Sequence, residues 1–385
     1  MFRKLMAPLA VLLTMTSLVP SAMAESKVSL RTFYMNRNFD GNTEDREALT
    51  QAFRLDHEAR ILDSITLGAS LFANAKITEN DDSKNTGLLD PETGEGYAKL
   101  GQIYGQYDFK DILSLRAGRW VMDTPLLNDS DSRGTPSSTQ AVKLSGHYNV
   151  LNGYVIYSDR ASGKTNEKFK KYTDANGDDY ELVIAGGDMK LDNGLSFAAA
   201  YGDADGYATQ TYLNAAYTYN DKAGINVMHY IGEGEGAHKD FDADMSNVQL
   251  FYKFPQLKLS TGFQTVSGDS SYDYEWGGED NNGLQVCNSV QIMDFNRQDE
   301  DSYQLRADYT VEAIPGLKAM VRHTMGEYTE GNKTNLDEAE TDAELSYTLS
   351  KTFLKGANFR VRYAHVDADN YDNINEIRFI VNYTL

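Results

Sequence analysis

The stretch NEIRFIVNYTL, residues 375–385, decides the fold. In an extended chain Ile377, Phe379, Val381, Tyr383 and Leu385 share one face, and Arg378 stands on the other. On the edge of a soluble sandwich that apolar row would need a second sheet to cover it. In a membrane, lipid covers it directly. The same period of two returns in VKLSGHYNV (142–150), LSFAAAY (195–201), KLSTGFQTV (258–266), YQLRADYTV (303–311) and AELSYTL (343–349). Helical periodicity is nearly absent. Asn335–Glu344 is the one segment with a helical pull, and it is too acidic to assign.

The rest of the chain fits that reading. Its start, MFRKLMAPLAVLLTMTSLVPSAMAES, has Arg3 and Lys4, an apolar run from Leu5 to Val19, and Ala22-Met23-Ala24, which predicts a signal peptide over 1–24 and a single barrel over 25–385. Beyond it no run of eighteen apolar residues exists, so no membrane helix is expected. Removing Arg3 and Lys4 lowers the basic count from 36 to 34 against 57 acidic residues, a net charge of −23 that argues against nucleic acid. The single cysteine, Cys287, excludes an internal disulfide framework.

Turn signals are of two kinds. Short ones fall at Leu62-Asp63-Ser64, Lys110-Asp111, Leu151-Asn152-Gly153, Asp192-Asn193-Gly194, Asn220-Asp221-Lys222 and Phe254-Pro255-Gln256. Long polar connections, read as external loops, fall near 38–49, 76–96, 123–140, 160–180, 204–207, 233–245, 267–301, 327–341 and 367–374. Nine long loops alternating with eight short turns give an all-β, up-and-down antiparallel transmembrane barrel of eighteen strands, with sixteen left open by the boundaries.

The face opposite the apolar one then lines a wet lumen. It carries Arg116, Lys143, Lys258, Arg306, Lys318, Arg322, Arg360, Arg362 and Arg378, with Arg31 and Arg37 beside Phe33 on the first strand. Acidic residues concentrate in the long loops, as in GDSSYDYEWGGEDNNG. Guanidinium groups bind carboxylates bidentately, so such a row would offer a moving carboxylate successive shallow sites. The alternative is that these cations merely pair with neighbouring Asp56, Glu58, Asp308, Glu344 and Glu376. The segment DTPLLNDSDSRGTPSST (123–139), the third long loop, suits a wall wetted on both sides and is expected to fold inward.

Several stretches resemble the OprD-type substrate-specific outer-membrane porins: LRTFYMNRNF (30–39), GRWVMDTPLLNDSDSRGTPSST (118–139), DFNRQDEDSYQLRADYTVEAIPGLKAMVRHTMGEYT (294–329), LSYTLSKTFLKGANFRVRY (345–363) and NINEIRFIVNYTL (373–385). The resemblance implies an eighteen-stranded barrel, an inward third loop, and an arginine/lysine ladder passing small carboxylates such as amino acids. It would place the constriction on Asp131, Ser132 and Arg133 and the ladder on Arg322 and Arg362, with Arg31 and Arg37 as first-strand members. The sequence departs from the family at Ala339-Glu340-Thr341-Asp342, where the family carries Trp-Glu-Arg-Asp, so the ladder is thinner.

The expectation is a passive channel of a Gram-negative outer membrane, a monomer or loose trimer meeting small solutes and lipid. A general porin and a non-transporting adhesive barrel are the alternatives. No histidine has metal-ligand spacing and no serine has a triad partner, so neither an enzyme, a metal nor a cofactor is expected. Asp174–Asp179 only faintly resembles a calcium loop.

Overall fold

In the computed structural model, which describes residues 24–78, 84–277 and 281–385, eighteen antiparallel strands close into one barrel. They are β1 (Ala24–Phe39), β2 (Arg46–Leu62), β3 (Ile65–Lys76), β4 (Tyr97–Phe109), β5 (Leu113–Trp120), β6 (Ser138–Tyr148), β7 (Leu151–Ser162), β8 (Leu182–Lys190) and β9 (Leu195–Ala204). The circuit continues with β10 (Ala208–Tyr219), β11 (Ala223–Gly234), β12 (Asp242–Lys253), β13 (Leu257–Gly268), β14 (Asp301–Thr310), β15 (Leu317–Glu330), β16 (Lys333–Thr348), β17 (Asn358–Ala368) and β18 (Ile374–Thr384). Each strand pairs with its sequence neighbour, and β18 returns to β1 from Ser29↔Thr384 to Phe39↔Ile374. Closure leaves no unpaired edge, the condition for crossing lipid with strands. The signal peptide read over 1–24 lies, except for Ala24, outside the described residues.

The outer face is apolar and uncovered. Leu115, Leu144, Val155, Leu305 and Val321 are all exposed, Leu305 by 68%. A soluble monomer would not leave so continuous an apolar belt in water. Toward the short turns it ends in exposed Phe109, Tyr148, Tyr219, Tyr252, Tyr309 and Phe359, an aromatic girdle. The short turns use residues that tolerate positive φ, such as Asn220 and Asp221 at 45° and 54°. The turn expected at Leu151-Asn152-Gly153 instead sits just before it: Asn149, at φ 55°, makes the bend and Leu151 already belongs to β7.

Three loop expectations need correction. Residues 327–341 are not a loop: β15 and β16 run on as a hairpin around Gly331. The alternation is hidden there, and across the Asn335–Glu344 segment with its helical pull, because the inward positions are Glu338, Glu340 and Asp342 rather than apolar residues. The connections near 76–96 and 267–301 are not external either. Leu88 and Leu89 are buried on the lumen side against Phe33, Met35 and Ile380. Residues 269–277 and 281–300 fold down the lumen, with Tyr272, Trp276 and Phe295 buried.

Candidate functional site

The third loop, 121–137, crosses the barrel as expected. Its entrance is a small hairpin, Asp123–Thr124 against Leu127–Asn128. Leu126 and Leu127 are fully buried, and Trp276 of the long loop donates its Nε1–H to the Leu126 carbonyl at 2.5 Å. Asn128 and Gly283 join the same two loops backbone to backbone, Gly283 N–H donating to Asn128 O at 3.0 Å. The loop tip reaches β1, four strands around the barrel from β5. Arg31 on β1 donates to Asp131 Oδ1 at 2.8 Å and to the Arg133 carbonyl, while its Nε is held by Asn382 Oδ1 at 2.8 Å. Ser132 sits on the same tip, its Oγ 3.0 Å from Ser130 Oγ.

Asp129 anchors the loop from within. Its Oδ2 accepts the Met122 N–H at 2.6 Å and its Oδ1 accepts the Thr139 hydroxyl at 3.2 Å. Burial pushes its carboxyl up to about 7 even though those hydrogen bonds work the other way.

The long loop is fastened to the wall by polar side chains. Glu340 accepts three successive backbone N–H groups, those of Gln291, Ile292 and Met293, at 2.8–3.2 Å. Gln264 and Gln304 donate to the carbonyls of Phe295 and Cys287, each at 2.5 Å. Arg297 meets Glu338 at 2.8 Å. Glu300, buried beside Glu338, has its carboxyl raised by desolvation and by that neighbour's charge. Cys287 lies inside the lumen with Asn247 and Asn288 as partners, and burial raises its thiol.

Four of the wall arginines stand together. Arg306, Arg322, Arg360 and Arg362, with Lys318, line one cavity of about 280 Å³ on the half of β14–β17 nearer the short turns. Arg306 and Arg322 are register partners, as are Arg362 and Arg378. Like charges in direct register destabilise a sheet, and carboxylates interleave to offset this. Arg306 clasps Asp308 at 2.7 Å, Arg322 meets Asp342 at 2.5 Å, and Glu344 takes Arg360 at 2.7 Å and Arg362 at 3.2 Å. The cavity lining nonetheless holds five cations against two carboxylates, Asp308 and Glu344.

The other expected site residues go elsewhere. Arg37 and Arg378 grip Glu376 at 2.7 and 2.5 Å beneath the long loop, nearly out of solvent. Arg133 donates its Nε–H to Thr86 O at 3.2 Å, so it packs on the second inward loop and is absent from the cavity of the four wall arginines. Arg116, on β5, lies across the barrel from them. What sequence reasoning missed was the inward course of two further loops. The signal was there: Leu88-Leu89, and Tyr272, Tyr274 and Trp276, are apolar residues that a solvated loop would not need.

A family model described as outer membrane porin, OprD family, matches residues 23–385. The chain belongs to the OprD family of outer-membrane porins. It is similar to Porin D of Pseudomonas aeruginosa, 25% identical with 92% of this chain and 89% of that protein covered. Among solved structures, P. aeruginosa OpdK with vanillate superposes with a TM-score of 0.85 at 22% identity, covering 94% of this chain and 98% of that one. P. aeruginosa OccK2 (OpdF) in complex with glucuronate gives 0.81 at 21% identity, over 94% and 98%. The fold, with its eighteen strands, is shared with those barrels. This porin is therefore a channel of the Gram-negative outer membrane, from a family of porins and not of enzymes.

Proposed function

We propose that this porin passes small carboxylate-bearing solutes that also carry a positive group, amino acids being the type, and that Arg306, Arg322, Arg360 and Arg362 select them below the Arg31–Asp131–Arg133 constriction. The observation that carries the reading is the cavity where five cations face two carboxylates. Vanillate and glucuronate, held by two structural neighbours, are both carboxylates. The acidic residues that stay at the outer mouth, among them Glu233, Glu235, Asp240, Asp367 and Asp369, favour solutes with a positive group there, and the arginines take the carboxylate. Liposome swelling with amino acids, dicarboxylates and neutral sugars, on wild type and Arg133→Ala/Arg362→Ala, tests it. Amino acids should pass faster than sugars of equal size, and the double variant should lose most of that preference. Equal rates, unchanged in the variant, would leave a general porin. One observation favours that second reading: every one of the four wall arginines already has a carboxylate partner.

A further inference from the structure

Across the barrel from the arginine wall, Arg116 on β5 and Lys143 on β6 are register partners. Neither forms an ion pair among the described residues. Arg116 gives its Nε–H and Nη2–H to Gln106 Oε1 and lies 4.5 Å from the centroid of the Tyr104 ring; Lys143 Nζ lies 4.9 Å from that of Tyr154. Ring faces steady a cation without using up its N–H donors. Lys143 lines a cavity of about 600 Å³ near the short turns. Asp123, at the base of the third loop, and Asp188, on β8, line the same space. Asp188 accepts from Asn152 Nδ2 at 2.9 Å, whereas the exposed Asp123 carboxylate has no ion-pair partner among the described residues. Arg60, Asp108, Lys110 and Asp111 line the same cavity from the β2 end and the β4–β5 turn, and between them and the third loop the Lys143 ammonium and the Asp123 carboxylate share one wet space without closing on each other.

We propose that this cavity is an exit cradle for zwitterions, Lys143 taking the solute's carboxylate and Asp123 its ammonium. It rests on the reading of the pore as a channel for charged carboxylates, and adds a second station on the opposite wall. Opposite charges held apart in water gain from a bridging zwitterion what they forgo by not pairing, while an anion or a cation satisfies one side only. Because the cradle lies on the short-turn side of the third loop, a solute meets it after passing that loop.

The test is current blocking in planar bilayers by 4-aminobutyrate, butyrate and butylamine, on wild type, Lys143→Met and Asp123→Asn. The block by 4-aminobutyrate should shorten about tenfold in each variant, the loss of one charge-assisted contact. Butyrate should respond only to Lys143→Met and butylamine only to Asp123→Asn. If Lys143→Met does not insert, Asp123→Asn, a loop substitution, decides alone. A block by 4-aminobutyrate that neither variant shortens would overturn the cradle. The two proposals separate cleanly. If Arg133→Ala/Arg362→Ala abolishes the amino-acid preference while these dwell times stay fixed, the cradle fails and the channel reading stands; the reverse pattern leaves the cradle and removes the ladder.

Discussion

Removing the carboxylate of Glu340 should loosen the long inward loop without unfolding the barrel. That carboxylate is fully buried and accepts the consecutive N–H groups of Gln291, Ile292 and Met293. Glu340→Ala strands three donors. A buried unsatisfied donor costs about 1–3 kcal/mol, and water from the lumen can reach part of the site, so the low end applies: about 3 kcal/mol in all. That shifts the balance toward the released loop roughly 150-fold. The remaining fastenings, from Gln264, Gln304, Arg297 and the Arg378 donation to the Gln291 carbonyl at 3.2 Å, keep the loop docked most of the time. Single-channel recordings should therefore show brief excursions to higher conductance that the wild type lacks. Amide exchange at 291–293 should accelerate by a similar factor, with exchange in β13 and β14 unchanged. Exchange at 291–293 within about threefold of wild type, together with a quiet channel, would refute the idea that Glu340 holds the loop.

Glu344 offsets both Arg360 and Arg362. Glu344→Gln should add one net positive charge to the wall and tighten carboxylate block by about fivefold, roughly 1 kcal/mol at these partly exposed groups, with the gain shrinking in high salt. Asp129 supplies a pH effect. Its folded pKa of about 7 lies above the ordinary value of 3.8, so its contribution to stability is greatest below about pH 4, is lost as pH rises toward 7, and is flat beyond. With the intrinsic pH dependence of exchange divided out, the amides of the docked third loop should accordingly be more protected at pH 5.5 than at pH 8, and Asp129→Asn should remove that difference in protection.

The barrel was legible because lipid imposes a strict rule. Leu305, Tyr303 and Tyr309 must point outward and Gln304, Arg306 and Asp308 inward, and a period of two records that choice residue by residue. The interior was less legible because it has no such rule. In the lumen a loop can pack on Phe33 or a carboxylate can grip backbone amides, and neither leaves a periodic trace. The acidic inward row of Glu338, Glu340 and Asp342 shows this directly: its residues read as a solvated loop, yet each meets a partner inside the barrel, Arg297, the long loop's amides and Arg322 respectively. Arg133 was placed on the right loop and not in the right company, since its partner Thr86 belongs to a loop whose inward path was not foreseen.

Pairing of the wall arginines bears on how such a channel works. Unpaired guanidinium groups in a narrow lumen would hold a carboxylate too long to pass it on. Each of these already shares a carboxylate of the protein, so under the proposed function a solute would exchange one partner for another and the well would stay shallow. Exchange is easiest where the protein partner is itself wet. Arg306, Arg360, Asp308 and Glu344 keep 18–34% of their side-chain surface exposed, whereas the Arg322–Asp342 pair keeps less than a tenth. Under the proposed function, Arg306 and Arg360 would then be the residues a passing solute engages, with Arg322 holding the potential between them without being displaced. The charge of the acidic outer loops does not reach this far: at about 0.15 M salt the Debye length is roughly 8 Å. Under the proposed function, selection would be made at the wall by local exchange, and the mouth would set only which solutes arrive.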